Sequence, residues 1–430
     1  MSKTWYNTPL KERGINMHIR ELTVDEFNTF AKENELSTYH QTVEYALLKI
    51  EHEYEYEIIG YIGDDGKIKA AAIVLVKLLN GYLYAYIPEG MLIDFHDERL
   101  VQSFTNELIK YYKKESISFI KINPPVVVSE IDANGNTLNY YSENRQVIDI
   151  LKRCGYTKLE DNLYFENLLP RFNALVDLDN FSINKLSKNT KNKIRKGIRK
   201  GLTFEKGDVS KLDELREFVK KKIAKADYYY SDYYNIFHRN RSVDFFLISI
   251  DYEKYTYNSQ NAYEKELKNN EKLNNKLLRR TTNKIINQKM NSDKTLLSYK
   301  NDIAYASSYL NTDKKEYIAG ALVIKHKDTA SIIISGYDKK FKDFAPNYFL
   351  YYNIIEYYKN EFKYVNLNGI SGDFGKEHRY VGLNKFKLGF NPTIQEYIGE
   401  FDLVINKSTY AKLSKKGLLN KEFNVNKPGK

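Results

Sequence analysis

Residues 185–200 read KLSKNTKNKIRKGIRK, a run without an acidic side chain. Leu186, Thr190, Ile194 and Ile198 fall at every fourth place, so a helix here can pack one face and turn a cationic face outward. Like charges over about four turns repel one another, and a polyphosphate partner relieves that repulsion. A plainly solvated helix face would carry the same pattern. A second group runs from Tyr228-Tyr229-Tyr230 to Phe237-His238-Arg239-Asn240-Arg241-Ser242. Read one way, it is a core helix followed by a charged turn. Read the other way, it is a pocket wall in which an arginine clamps a phosphate through two parallel N–H bonds. A third group, Leu367-Asn368-Gly369-Ile370-Ser371-Gly372-Asp373-Phe374-Gly375, is a glycine-rich turn. Such a turn can bring backbone N–H groups to an anion, and it can equally be an ordinary loop. Asp373 and Glu377 beside it are candidate proton acceptors, although a surface loop explains them as well.

Other chemistries are poorly supplied. The one cysteine, Cys154, sits in Leu151-Lys152-Arg153-Cys154-Gly155-Tyr156 and reads as a packed helix-end thiol rather than a nucleophile. One cysteine rules out a disulfide framework and a multi-cysteine zinc site. The seven histidines show no paired ligand spacing, so no protein-bound metal is expected. There is no P-loop. The coenzyme A signature Arg/Gln-x-x-Gly-x-Gly/Ala is also missing; the nearest string, Arg379-Tyr380-Val381-Gly382-Leu383-Asn384, fails at its last position. The formal net charge of +11 favours polyanionic partners. The first residues hold no apolar segment of a signal peptide, and no run of about 18 apolar residues occurs. A cytoplasmic protein is expected, touching the inner membrane face peripherally through basic residues.

The elements that must position these groups show an internal repeat. A strand at 56–62 is followed by a buried strand at 70–76, the hairpin signal Asn80-Gly81, and a strand at 82–87. A helix spans 98–114 with Leu100, Val101, Phe104, Leu108 and Tyr112 on one face, and a strand at 119–122 ends at Asn123-Pro124-Pro125. The second copy has strands at 318–324 and 330–336, a helix at 345–359 and a closing strand at 363–368 that ends at Gly369. That order is the one found in acetyltransferase-like α+β domains, here in tandem. Between the copies, 252–300 holds no Gly or Pro, and its Leu267, Leu273, Leu277, Leu278, Ile285, Ile286 and Met290 are loosely heptad-spaced. It reads as two antiparallel helices, an arm broken near 278–283. The expected fold is therefore α+β: two tandem acetyltransferase-like (GNAT-like) domains with an inserted antiparallel coiled-coil arm. The boundaries are an extension at 1–17, a first domain at 18–165, a second at 166–395 with the arm at 252–300, and a polar, frayed tail at 412–430.

Several strings, in order, resemble the Fem family of tRNA-dependent peptidoglycan aminoacyltransferases. They are Tyr39-His40-Gln41-Thr42-Val43-Glu44-Tyr45-Ala46-Leu47-Leu48-Lys49, then the basic helix around Lys188-Asn189-Thr190-Lys191, then Gly369-Ile370-Ser371-Gly372. Gly382-Leu383-Asn384-Lys385-Phe386-Lys387-Leu388-Gly389-Phe390 and Ile398-Gly399-Glu400-Phe401-Asp402-Leu403 complete the set. The resemblance implies that a last strand within 396–411 returns to the first domain. It implies that Lys387, with Phe386 beside it, stands at the reaction centre, and that Lys49 and Arg241 grip the precursor. Phe245 matches a position where the family commonly has tyrosine. Asn123 stands where the family often has aspartate, so a carboxylate base is lost there.

The implied reaction moves an amino acid from aminoacyl-tRNA, a co-substrate, to the stem or bridge peptide amine of a muramyl-pentapeptide precursor, lipid-linked or nucleotide-linked. No cofactor is implied. A paralogous Fem-type protein is an implied partner. Either the arm or the helix carrying Lys188, Lys191, Lys193, Arg195 and Lys196 would bind the tRNA, the choice between them being open. A cationic Lys387 would favour the free form of the attacking amine, which is otherwise protonated near pKa 10.4, and would stabilise the oxyanion. The same motifs would serve a tRNA-dependent transferase acting on an amine outside the cell wall, or a tRNA-binding module without chemistry. An acetyl-coenzyme A acyltransferase is the reading against which the missing donor signature weighs.

Overall fold

The computed structural model describes residues 17–50, 53–164, 168–219, 229–310 and 315–419. The chain begins with β1 (His18–Glu21), α1 (Val24–Glu33), α2 (Val43–Ile50), β2 (Glu55–Ile62), β3 (Ile68–Leu79), β4 (Tyr82–Ile87), α3 (Glu98–Lys114) and β5 (Phe119–Ile122). A hairpin of β6 (Val127–Ile131) and β7 (Thr137–Tyr140) precedes α4 (Ser142–Arg153), β8 (Tyr156–Lys158) and β9 (Phe172–Asp177). Then come α5 (Lys188–Arg199), β10 (Leu202–Lys206), α6 (Leu212–Val219), α7 (Tyr229–His238), β11 (Val243–Ile250), α8 (Tyr252–Arg279) and α9 (Asn283–Ser307). The chain finishes with β12 (Glu316–His326), β13 (Thr329–Tyr337), α10 (Pro346–Tyr358), β14 (Tyr364–Gly369), α11 (Val381–Leu388), β15 (Thr393–Tyr397), β16 (Phe401–Val404) and α12 (Lys407–Lys415).

These elements form an α+β protein with two sheets, in the orders β1-β2-β3-β4-β5-β16-β8 and β10-β11-β12-β13-β14-β9-β15-β6-β7. The chain divides into two units. Among the described residues, the first comprises those within 17–128, 141–161 and 397–419, and the second those within 129–140 and 162–396. The short hairpin around residues 129–140 thus lies with the second unit, although its place in the chain is inside the first. The two sheets share one plan. Four antiparallel strands meet a parallel neighbour, β4 beside β5 in one and β13 beside β14 in the other. In each sheet the strand next to that neighbour arrives from elsewhere in the chain. β16, from near the C-terminus, pairs with both β5 and β8, and β9 lies between β14 and β15.

The first core gathers Ile59, Ala72, Val74, Ile87, Phe104, Leu108, Ile120 and Leu403, all buried, with the apolar face of α3 laid on the sheet. The second gathers Val176, Ile194, Phe246, Ala321, Ile354, Val365 and Leu367. Cys154 is buried at the end of α4, where burial pushes its thiol pKa up, as expected of a packed residue. Helix α7 buries Tyr230, Tyr233, Tyr234 and Phe237 in the core and is followed by a turn with exposed Arg239, Asn240 and Arg241; Tyr228 lies outside the described residues. Helix α12 carries folded chain beyond residue 412, because Leu413 is fully buried. The rest of the expected tail from 420, and the extension through 16, lie outside the described residues. Among the described residues no helix is long and apolar enough to cross a membrane.

Candidate active site

Strands β13 and β14 pair only over Thr329–Ser331 and Tyr364–Asn366. Beyond that point each keeps its other neighbour, β12 or β9, while the two part. Both carry an irregularity where they separate: the β12 register shifts at Leu322/Val323, and the β14 register shifts between Asn366 and Gly369, with Asn368 at φ 68°. An extra residue in one strand bends it and raises its local twist, which accounts for the opening. The glycine-rich turn follows directly from β14.

Helix α11 is fastened to that turn. The Asn384 side chain accepts from the Ser371 N–H (3.2 Å) and donates to the carbonyls of Ser371 (3.0 Å) and Asp373 (2.9 Å). Three residues on, one helical step along the same face, Lys387 donates from Nζ to the Gly369 carbonyl at 2.6 Å. Lys387 is 6% exposed, and among the described residues this is its one hydrogen bond. A buried ammonium so poorly solvated gives up its proton readily, and burial lowers the Lys387 pKa to about 7. Phe386 stands beside it against the edges of Tyr348 (4.9 Å), Tyr351 (4.8 Å) and Phe390 (5.5 Å). The Tyr351 hydroxyl meets Ser335 Oγ of β13 at 2.9 Å. The parting of β13 and β14 is therefore flanked by an aromatic wall and a desolvated amine. Asp373 is committed to its own turn: it accepts from the Gly375 N–H (2.8 Å) and from the Tyr164 hydroxyl (3.3 Å).

The basic helix α5 is built against this centre. The Ser187 N–H donates to the Gly389 carbonyl at 3.1 Å, and Gly389 approaches so closely that a Cβ there would collide with Thr190 Oγ1. Leu186, Thr190, Ile194 and Gly197 form the buried face. Ile198, expected on that face, is 45% exposed, because at 3.6 residues per turn the stripe drifts from position 198 to 197. At the other end, Lys200 donates to Tyr255 Oη and Asp302 Oδ1, both at 2.6 Å, and Asn258 donates to the Ile198 carbonyl at 2.9 Å. Arg199 lies over the Tyr299 ring at 4.9 Å. The helix thus joins the end of α11 to the root of the α8–α9 pair. Lys188, Lys193, Arg195 and Lys196 make no ion pair among the described residues, and Lys191 donates to the Asn184 carbonyl at 3.2 Å.

Other expected residues lie elsewhere. Arg241 is exposed in a left-handed turn (φ 62°) just before β11. Strand register puts it at the end of the sheet where β14 begins, whereas Lys387 bonds to the end of β14, roughly 17 Å away along the strands. Phe245 is 0% exposed, and a Cβ on Gly207 would touch its ring at 2.6 Å, so its place is in the packing of β11 rather than on a surface open to a ligand. In the first unit Lys49 stands 5.0 Å over the Tyr45 ring. Asn123 accepts from Tyr86 Oη and the Glu89 N–H, both at 3.1 Å, a structural use of its amide.

Around Asn123 lies a buried polar cluster that motif reading missed. His40 Nδ1 meets Glu89 Oε2 at 2.8 Å, and Tyr45 packs edge-on to His40 at 4.9 Å. Burial, with Glu400 and Glu89 nearby, pushes the Tyr86 hydroxyl pKa well up. The signal was present in Tyr39-His40-Gln41 and in Pro88-Glu89-Gly90 directly after β4, but those positions are distant in sequence and only the fold brings them together. Among the described residues no group of three or more His, Cys, Asp or Glu is arranged to hold a metal ion.

The model of the FemAB family matches residues 22–415. Aminoacyltransferase FemA of Staphylococcus epidermidis is 26% identical over 413 residues, covering 92% of this chain and 97% of the relative. Aminoacyltransferase FemA of Staphylococcus aureus (strain bovine RF122 / ET3-1) is 26% identical over 410 residues, with the same coverage. Among solved structures, the crystal structure of FemX shares the fold, with a TM-score of 0.70 at 19% identity over 92% of this chain and 99% of that one.

Proposed function

The chain belongs to the FemAB family, and from that premise, with the activity its FemA relatives are named for, we infer that it is an aminoacyltransferase that builds the peptide bridge of peptidoglycan. We propose further that the donor is an aminoacyl ester on tRNA and that the acceptor amine belongs to the stem or bridge peptide of a muramyl-pentapeptide precursor, lipid-linked in preference to nucleotide-linked. The observation that carries the reaction is Lys387, a desolvated amine with pKa about 7 at the parting of β13 and β14.

The acceptor nitrogen attacks the ester carbonyl carbon. A tetrahedral oxyanion forms, the C–O bond to the ribose breaks, and the amine's proton ends on the ribose oxygen. Near neutral pH about half of Lys387 is unprotonated, so its neutral form can take the proton from the attacking amine and its charged form can return it to the leaving oxygen. In this reading Lys387 acts as a proton carrier beside the cationic role that the resemblance implies. The charged form also stabilises the oxyanion while it exists. Phe386 and its aromatic neighbours exclude water, which protects the ester. Ester aminolysis runs downhill, so the reaction as proposed needs neither ATP nor a metal.

Helix α5 would hold the tRNA. Its first turn carries Lys188 and Lys191 where a helix dipole favours acidic groups, a mismatch that phosphates correct. Arg241, at the far end of the sheet, would grip the precursor's phosphates. An extended acceptor spans a separation of that size, since each peptide residue adds about 3.3–3.6 Å.

The test is to incubate the protein with labelled aminoacyl-tRNAs and either precursor, and to weigh the product. The wild type is expected to add one or more amino acids, and Lys387→Met is expected to lose at least about a hundredfold in kcat. With the wild type, kcat should rise with pH through a midpoint near pH 7 and level off one to two pH units higher, the limb being set by Lys387. Full turnover by Lys387→Met would sink the proposed role, and tRNA binding without transfer by the wild type would leave a binding module in place of an enzyme.

A further inference from the structure

Helices α8 and α9 lie side by side, joined across their length by Asn270 Nδ2 to Ser292 Oγ (3.0 Å) and to Asp293 Oδ1 (2.8 Å). Near their root Asn258 holds α5. From Asn258 to Leu278 the helix runs on for about 30 Å at 1.5 Å per residue. The far end, residues 272–292, contains six basic side chains and no acidic one. Lys289 is neutralised by Asp293 at 2.6 Å. The other five, Lys272, Lys276, Arg279, Arg280 and Lys284, are exposed and make no ion pair among the described residues.

Large apolar side chains project from the same end. Leu278, at the turn between the helices, is 86% exposed, Met290 is 52% exposed and Ile286 is 37% exposed. On α9, Ile286 and Met290 are four residues apart and share one face. A leucine left almost wholly in water at the tip of a hairpin, beside arginine and lysine, has no packing role among the described residues. Cations alone would suit nucleic acid as well as lipid, because both present phosphates. The apolar residues separate the two: a phosphodiester backbone gives Leu278 and Met290 nothing to enter, whereas a bilayer offers acyl chains directly beneath its phosphates. Arginine and lysine stems can lie along that boundary with their heads in the phosphate layer.

We propose that the tip of the α8–α9 pair docks on an anionic phospholipid bilayer, inserting Leu278 while Arg279, Arg280, Lys276 and Lys284 bind the headgroups. The inference rests on the transferase reading only for its purpose, which is to hold the enzyme at the surface where a lipid-anchored acceptor is presented. The docking chemistry does not involve Lys387.

The experiment uses the full chain and sediments it with vesicles of phosphatidylcholine alone or mixed with phosphatidylglycerol. Binding is expected only to the mixed vesicles, and it should weaken with added salt. Leu278→Gln should weaken it about tenfold, the loss of one buried leucine, and Arg279→Gln with Arg280→Gln roughly twenty-five-fold, at about fivefold per cation. Both changes lie on exposed positions and leave the fold intact. Equal vesicle binding by wild type and Leu278→Gln, or no binding to anionic vesicles at all, would overturn the proposal. So would loss of tRNA binding in the arginine variant with vesicle binding unchanged, which would mark the tip as an RNA surface. Transfer to a water-soluble acceptor should proceed at the wild-type rate in both variants, and a parallel fall there would also overturn it. A wild type that binds anionic vesicles yet transfers nothing would refute the transferase reading alone.

Discussion

Lys387 ties the stability of the second unit to its chemistry. Its pKa moves from an ordinary 10.5 to about 7 through burial. Between those two values the unfolded chain holds a proton that the folded chain does not, so stability rises with pH across that window and is lowest below pH 7. Lys387→Met removes the ionisable group. It should therefore raise stability, and the gain should be about 2 kcal/mol larger at pH 7 than at pH 9. Urea unfolding of both proteins at the two pH values measures the difference; a gain independent of pH would mean that Lys387 is not desolvated. The sequence could point to Lys387 only through a resemblance, because nothing in Lys385-Phe386-Lys387 says which lysine turns inward. Asn384, three residues earlier on the same face, decides it by fastening α11 to the turn at Ser371 and Asp373.

Helix α5 shows which features of an element can be read before its surroundings are known. Its cationic face and the buried Leu186, Thr190 and Ile194 follow from spacing. The drift from Ile198 to Gly197 follows from the helical period as well; what spacing does not show is that Phe349 and Leu202 lie 3.1 and 3.2 Å from where a Gly197 Cβ would be. The break between α8 and α9, at Arg280–Thr282, also lay within the expected window, and here the local signal is a cap: the Thr282 side chain accepts from the Ile285 N–H at 3.3 Å. The element-scale prediction concerns salt. If α5 contacts tRNA phosphates, log K should fall linearly with log salt concentration, and each of Lys193→Ala and Arg195→Ala should reduce the slope by about one. Filter binding across a salt series reads this directly. Slopes unchanged in both variants would move the RNA to another surface. Neither substitution touches the buried face, so stability should stay within about 0.5 kcal/mol of wild type.

At the scale of the whole chain, the strand that completes the first sheet comes from near the opposite terminus. The repeat of strand, hairpin, helix and strand was legible because each piece is local: Asn80-Gly81 marks one turn, and alternation marks the strands beside it. The seat of β16 between β5 and β8 was not legible from spacing, since strands with no nearby partner carry no register signal. Its register is set by an ion pair. Lys121 Nζ donates to both oxygens of Asp402, at 2.9 and 3.2 Å, each side chain is 1% exposed, and Tyr410 of α12 donates to the same carboxylate at 2.6 Å. Removing one partner of a buried pair leaves the other charge desolvated and uncompensated, which costs about 3–5 kcal/mol. Asp402→Asn should therefore destabilise the first unit by that amount, while the double change Lys121→Met with Asp402→Leu, similar in volume and without charge, should recover most of the loss. Because β16 closes the sheet from 281 residues away in sequence, the single change should also let the C-terminal segment detach before the rest unfolds. Hydrogen exchange would then show Phe401–Val404 and Phe119–Ile122 losing protection together, ahead of β2 and β3. Were Asp402→Asn to unfold in one step at the wild-type midpoint, β16 would be held by its backbone pairing alone, and the buried pair would have no part in closing the sheet.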